Sequence, residues 1–556
     1  MNTLLLALAM TPTADEPAFA ADLVLVGGKV WTADRDRPEA EAVAVWRDRV
    51  VQVGTDAEIK ALVGPKTKVI ALNGRRVVPG FHDSHVHFLG GGEQLSRVEL
   101  KDAKDEAEFG RRLREFDQKL PKGRWMLGGN WDHDRTFASK LPTAVVVDKY
   151  VPDRPVFIRR YDGHMALANS AALKLAQVTA ETKEPAGGVI YRREDGKTPS
   201  GILKDNAMGL VDRLIPEPDE AEIADSVRAA MRACAENGIT SVQDMDGSSG
   251  QTRRTLFRVL QRLAREGRMT VRLDLRWPIA ARRDVADLGA EANYGNDFVR
   301  VGGVKGFMDG SLGSSTARFF EPFEGEPKNV GVFVTPPDAM GNMIREADKA
   351  DLSVAVHAIG DEANAVLLDI FASVAKQNGA RDRRFRIEHV QHLRPSDYPR
   401  FKELGVIASM QPYHAIDDGR WAEGRIGPRR CASSYAFRSL LDHGAKLAFG
   451  SDWPVAPLDV LAGIDAAVNR RTLDGKHPGG WFPEQRITVA EAVEAYTLGS
   501  AYAGFQEADR GSIRPGKFAD LVVLSRDILA PAERDHIPEA HVAMTIVGGR
   551  VVFERK

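Results

Sequence analysis

The chain has 556 residues, of which 43% are hydrophobic and 28% charged, a composition typical of a soluble globular protein with a large core. Its 76 Lys and Arg residues against 78 Asp and Glu residues give a net charge of −2. Because no long basic run is present, neither nucleic acid nor an anionic membrane surface is an expected partner. Two cysteines exclude a disulfide framework, and we expect Cys234 and Cys431 to be small buried side chains.

The first 20 residues have some features of a secretory signal peptide. An apolar run at Leu4–Met10 precedes the segment Ala18–Ala21, which offers a small-x-small cleavage site after Ala20. Cleavage there predicts a periplasmic or secreted protein. Residues 1–3 carry no Lys or Arg, however, so a disordered leader on a cytoplasmic enzyme is the alternative. No later segment has the roughly 20 uninterrupted apolar residues that cross a bilayer.

Both ends of the remaining chain are rich in short β-strands broken by turn residues. Neither end has enough strands to bury an apolar face alone. We therefore predict one small β-sandwich composed of residues 21–78 and 507–556. The strands that carry this prediction include Ala42–Trp46, Val50–Val53, Ala519–Leu524 and Met544–Phe553.

The middle of the chain, residues 79–506, alternates predicted strands with amphipathic helices, which indicates βαβ units and a parallel sheet. Eight strands fit a (β/α)8 TIM barrel, and the long stretch from about 88 to 218 is predicted to be an inserted cap. Helices are expected at 219–237, 253–267, 338–351 and 362–378. The eight predicted strands are 78–87, 239–245, 270–277, 301–308, 353–358, 384–391, 406–411 and 446–452.

Residues that can bind a metal occur at or near the ends of five of these strands. His85 and His87 are two residues apart, so in a strand their side chains lie on one face. Barrel active sites lie at the carboxyl ends of the strands, where all these residues can face one cavity. Neutral imidazoles suit zinc and similar metals, and a carboxylate adds a hard oxygen. The other members of the set are Lys305, His357, His389 and Asp452.

This set, together with several longer motifs, resembles the amidohydrolase superfamily, and in particular its amidohydrolase 3 branch of N-substituted formamide deformylase-like enzymes. The resemblance extends from about residue 22 to residue 556. The motifs that carry it are Tyr161–Ser170 (YDGHMALANS), Lys305–Ser315 (KGFMDGSLGSS), His357–Asp361 (HAIGD), Arg386–His389 (RIEH), Gln411–His414 (QPYH) and Phe449–Pro454 (FGSDWP).

The resemblance implies a reaction and a set of ligands. His85 and His87 would hold one divalent metal ion, for which the resemblance implies zinc, and His357 and His389 a second. Lys305 would bridge the two as a carbamate formed with CO2, and Asp452 would be both a ligand and the catalytic base. One metal ion instead of two remains open. The implied activity is hydrolysis of the C–N bond of a small amide or formamide.

Four further residues are expected to contact the substrate: His164, His414, Trp131 and Asp309. Branch members often associate, so a homodimer is an expectation of the resemblance. Two alternatives stay open: a cyclic amide hydrolase or deaminase of the same superfamily, and a barrel that only binds. The deaminase is disfavoured because His357 is followed by Ala-Ile-Gly, without the glutamate of an HxxE motif.

Overall fold

The computed structural model describes residues 19–138, 140–160, 165–185, 188–246, 250–313 and 315–556. The chain forms two compact units. The first contains the described parts of 1–86, 233–247 and 268–556, and the second contains those of 87–232 and 248–267. The predicted leader, residues 1–20, lies almost wholly outside the described residues and stays a prediction.

Eight parallel strands form the central sheet of the first unit, in the order in which they follow one another along the chain. The sheet closes where the backbone N–H of Asp452 donates to the carbonyl of His85 at 2.7 Å. The predicted TIM barrel is therefore confirmed. We number its strands β1 Phe81–Val86, β2 Ile239–Asp244, β3 Arg272–Pro278, β4 Val299–Phe307, β5 Val354–Ala358, β6 Arg386–His389, β7 Ile407–Met410 and β8 Lys446–Phe449.

Most barrel strands are short and almost completely buried, as expected for strands that are covered on both faces. A two-residue strand, Tyr294–Gly295, pairs antiparallel with β4. The helices of this unit are Asp56–Lys60, Arg282–Asp287, Pro337–Lys349, Asp361–Asn378, Tyr398–Leu404, Pro412–Asp418, Ala422–Cys431, Phe437–Asp442, Val460–Asn469, Val489–Glu494 and Ser500–Ala503. Short 3-10 or π turns lie at Ile279–Ala281, Pro395–Asp397, Pro483–Gln485, Ala495–Gly499 and Pro531–Glu539.

Two smaller sheets of the same unit are built from the ends of the chain. One has the strand order Arg49–Gly54, Ala42–Trp46, Leu23–Val26 and Lys68–Ala71. The other has the order Arg550–Glu554, Val542–Val547, Leu521–Leu524, Arg76–Pro79, Lys29–Trp31 and Glu39–Ala40. Their apolar side chains share one core, which includes Leu25, Val43, Leu521 and Ile546. The N-terminal and C-terminal segments thus bury each other's apolar faces.

The second unit has its own six-stranded sheet. Its order is Gly188–Arg192, Pro199–Asp205, Met165–Ala168, Phe157–Arg160, Gly128–Trp131 and Val98–Glu99. The unit extends beyond the 88–218 region expected for a cap, because helix Gly250–Arg265 and most of Glu220–Glu236 belong to it. Its other helical segments are Phe88–Leu95, Glu106–Lys119, His133–Thr136, Ala144–Asp148, Ser170–Leu175, Asn206–Met208 and Gly209–Asp212.

Neither Cys234 nor Cys431 forms a disulfide, and both are buried, as expected. Within the described ranges, no helix combines the length and apolar character needed to cross a membrane.

Candidate metal centre and active site

The predicted ligands of the first unit gather at the carboxyl ends of the barrel strands. His85 is the penultimate residue of β1, and His389 is the final residue of β6. Their ring centroids are 4.8 Å apart. The ring of His357, in β5, lies 4.5 Å from that of His389. Asp452 follows β8, with Oδ1 3.4 Å from Nε2 of His85.

Among the described residues, two sets of three residues could each hold a metal ion. His85, His87 and Asp452 form one set, and His389, His414 and Asp452 form the other. In each set the potential ligand atoms lie within 4.8 Å of one another. His87 directly follows β1 and precedes the helix that begins at Phe88. Asp452 is common to both sets, so it can contact either of two neighbouring cations.

In each of His85, His389 and His357, one ring nitrogen lies within hydrogen-bond distance of a protein acceptor. Nδ1 of His85 lies 2.7 Å from Oε2 of Glu388. Nδ1 of His389 lies 2.8 Å from Oε1 of Gln411, and Nε2 of His357 lies 2.9 Å from the carbonyl of Gly310. All three partners are acceptors, so the contacted nitrogens donate. This is how protein groups orient metal-binding imidazoles.

The electrostatic environment keeps these histidines neutral. Burial, and then the charge of Lys305, lowers the pKa of His85 to about 4 and that of His357 to about 3. Burial also holds the pKa of His389 well below its ordinary value. A metal binds the neutral imidazole, because a protonated ring has no lone pair to offer. The residues therefore fit a divalent metal ion of the zinc type.

Lys305 lies in β4 and is 2% exposed. Its Nζ makes no hydrogen bond to any residue that the structure describes. It lies 4.3 Å from the ring centroid of Phe307. Burial lowers the pKa of Lys305 to about 8, although Glu388 and Asp452 oppose this shift.

The predicted substrate contacts have different placements. His414 lies on helix Pro412–Asp418, with Nε2 3.8 Å from Oδ2 of Asp452. Its ring is stacked parallel to that of His389, with centroids 6.4 Å apart. His414 therefore lies beside the predicted metal ligands, and its contact with a substrate stays a prediction. His164 falls in residues 161–164, outside the described ranges, and its role stays a prediction.

Asp309 and Trp131 both have hydrogen-bond partners within the protein, and their contact with a substrate stays a prediction. The carboxylate of Asp309 accepts hydrogen bonds from the backbone N–H groups of Arg318, Ile359 and Gly360, at 2.8 to 2.9 Å. It thereby ties the segment after β4 to the turn after β5. Trp131 belongs to the second unit, where it is fully buried in the core and donates from Nε1 to the carbonyl of Ile158 at 2.9 Å.

Glu388 and Arg386 were not among the predicted site residues, although both lie in the RIEH motif. Burial alone would raise the pKa of Glu388, but Arg386 and the hydrogen bond with His85 hold it well below its ordinary value. Glu388 is therefore an ionised carboxylate in contact with a predicted ligand. A carboxylate directly before a strand-end histidine was the signal available in the sequence.

The sequence matches the model of the amidohydrolase family over residues 68–553. The chain belongs to the amidohydrolase family. A relative at 39% identity, protein LONG AFTER FAR-RED 3 of Arabidopsis thaliana, is matched over 98% of this chain and 93% of its own. N-substituted formamide deformylase of Arthrobacter pascens is 28% identical, over 96% of this chain and 98% of its own.

The solved structures agree with this membership. An uncharacterized metal-dependent hydrolase from Pyrococcus furiosus is 30% identical and superimposes with a TM-score of 0.75. The match covers 91% of this amidohydrolase and 99% of the Pyrococcus chain. The match thus extends over most of this chain and almost the whole of that metal-dependent hydrolase.

Proposed function

We propose that this amidohydrolase is a metal-dependent hydrolase that cleaves the C–N bond of a small amide or formamide. The observation that supports it best is the pair of His/Asp sets that share Asp452 at the carboxyl ends of the barrel strands. The similarity to a formamide deformylase favours the C–N bond as the target.

His85, His87 and Asp452 would hold one divalent ion, for which zinc is the best candidate by ligand type. His389 would help to hold a second ion, in a set that also contains His414 and Asp452. His357 is in neither set, but its ring centroid lies 4.5 Å from that of His389, and the family resemblance assigns it to the same ion. When bound, such an ion lowers the pKa of water towards neutrality and polarises a carbonyl group.

Asp452 is the residue best placed to move the proton. In the proposed reaction its carboxylate takes a proton from the attacking water and delivers it to the amide nitrogen as the C–N bond breaks. The products are the carboxylic acid and the free amine. Its oxygens lie 3.4 Å from Nε2 of His85 and 3.8 Å from Nε2 of His414, so it is central to the cluster.

Lys305 would join the site as a carbamate. A cationic amine repels a metal ion, whereas the neutral amine adds CO2 and releases one proton to give an anion with two oxygen ligands. Among the described residues Nζ has no hydrogen-bond partner, so carbamate formation would break no such bond, and this supports the proposal. Infrared or mass-spectrometric detection of a 13CO2-derived carbamate on Lys305 would test it.

The experiment that tests the function is product release from a panel of substrates by the metal-reconstituted protein. N-formyl and N-acyl amines should yield free amine, whereas cyclic amides and aminopurines should be poor substrates. The double variant His85→Ala/His87→Ala should be inactive. His443→Ala, a change at an exposed histidine, is the matched control and should retain activity. Ammonia release from aminopurines alone would support the deaminase alternative instead.

A further inference from the structure

A fully buried ion pair lies in the barrel directly behind His85. Oε2 of Glu388 is 2.7 Å from Nδ1 of His85, and neither side chain has any exposed area. Nη2 of Arg386 lies 2.9 Å from Oε1 of the same carboxylate, and Arg386 is also fully buried. Glu388 therefore contacts a cationic side chain with one oxygen and a predicted metal ligand with the other.

Arg386 is itself held by three other strands. Its Nη2 donates to the carbonyl of Ser84 in β1 and to Oγ of Ser409 in β7, both at 2.9 Å. Its Nη1 donates to Oε1 of Gln243 in β2. Because Arg386 lies in β6, four barrel strands fix the position of the guanidinium group. The Glu388 carboxylate lies against this guanidinium group as an ion pair.

This arrangement determines the state of His85. An ionised carboxylate only accepts hydrogen bonds, so Nδ1 of His85 must carry the proton and Nε2 must carry the lone pair. The hydrogen bond also fixes the rotation of the ring, which places Nε2 3.4 Å from Oδ1 of Asp452. Removing the carboxylate would leave the ring free to adopt the other tautomer.

The stability of the barrel alone does not explain the pair. Burying two charges costs desolvation free energy that their attraction repays only in part, and apolar residues of similar volume are often at least as stabilising. We propose that Arg386 and Glu388 are positioning residues that hold His85 in the tautomer and orientation that bind metal. This inference rests on the proposed function, because it assigns His85 to a metal ion.

The test compares metal binding by wild-type protein and Glu388→Gln. Metal-free protein is titrated with zinc in competition with a chromogenic chelator, and the cobalt-substituted forms are compared by visible absorption. The amide keeps the size of the carboxylate but loses its charge. We expect the dissociation constant for zinc to rise by about 10- to 100-fold, the usual range for loss of such a partner, and the cobalt spectrum to change.

The control is Asp348→Asn, another buried carboxylate in the same unit. Asp348 is paired with Arg381 at 2.5 Å and with Arg383 at 2.9 Å, and its side chain has no exposed area. This variant should lose thermal stability but keep wild-type zinc affinity. If Glu388→Gln does not fold, the double variant Arg386→Met/Glu388→Gln removes both charges and should show the same loss of affinity.

Wild-type zinc affinity and an unchanged cobalt spectrum in Glu388→Gln or in the double variant would overturn the positioning role. A wild-type protein that binds neither zinc nor cobalt would instead overturn the proposed function, and the inference with it.

Discussion

Gly450 provides the sharpest structural test of the metal centre, because a single added methyl group there would collide with His85. A Cβ at Gly450 would lie 2.5 Å from the backbone nitrogen of His85 and 2.9 Å from its Cβ. It would also lie 2.7 Å from Oδ1 of Asp83. Two of these three atoms belong to the residue whose imidazole binds metal in the proposed site.

The size of the effect follows from these distances. Ordinary contacts of a Cβ begin at 3.4 Å, so the end of β8 and His85 must separate by about 0.9 Å in Gly450→Ala. Functional sites tolerate displacements of roughly 0.5 Å. Overpacking of this kind costs about 1–3 kcal/mol of unfolding free energy. We expect zinc affinity to fall by about 10-fold or more, as it does when a group that orients a metal-binding side chain is removed.

Chelator competition measures the zinc affinity of this variant, and thermal denaturation of the metal-free protein measures its stability. Gly424→Ala is the matched control, because its added Cβ would meet no atom within 4 Å. Wild-type zinc affinity in Gly450→Ala, with activity retained, would show that the contact between β8 and β1 does not position His85, and the reasoning would be refuted.

Three further predictions concern single residues. Asp452→Asn should lower kcat by about 10²- to 10⁴-fold, the range for loss of a general acid–base, while circular dichroism remains unchanged; near-normal turnover would remove Asp452 from its role. Lys305→Ala should lose metal and activity together, and short carboxylic acids should restore part of both; full metal content without added acid would exclude Lys305 as a ligand. Asp520→Asn breaks a buried pair with Arg272, with contacts at 2.8 and 3.0 Å, and should cost about 3–5 kcal/mol in urea denaturation. Burial raises the pKa of Asp520, but the charge of Arg272 outweighs burial and holds this pKa below its ordinary value. The stabilisation by the Asp520–Arg272 pair is therefore present above about pH 4 and is lost as the pH falls further. An acid unfolding profile unchanged by Asp520→Asn would contradict that assignment.

The barrel was predictable because its strands are short apolar runs separated by amphipathic helices. The predicted strand 353–358 is observed at Val354–Ala358, and 239–245 at Ile239–Asp244. The predicted first strand, 78–87, was less accurate. The chain there forms two strands, Arg76–Pro79 in a terminal sheet and Phe81–Val86 in the barrel. One apolar run contains strands of two different sheets, and hydrophobic periodicity alone does not locate the boundary between them.

Roles that depend on side-chain partners were harder to predict. Asp309 follows a barrel strand, and its oxygens accept hydrogen bonds from three backbone N–H groups; its contact with a substrate stays a prediction. Glu388 directly precedes a predicted ligand on β6 and was not itself predicted to be a site residue. It nevertheless contacts His85 across the barrel interior. Both assignments depend on contacts between residues 9 to 303 positions apart, which a strand pattern does not contain.

The proposed metal centre is tested by measuring the metal content of the purified protein by elemental mass spectrometry, beside the His85→Ala/His87→Ala double variant. We predict about one to two zinc-type ions per wild-type chain and fewer in the variant. We also predict that only the wild type hydrolyses an N-acyl or N-formyl amine. Wild-type protein that holds no metal, and that gains neither metal nor hydrolytic activity on reconstitution, would contradict these predictions and favour a barrel that only binds.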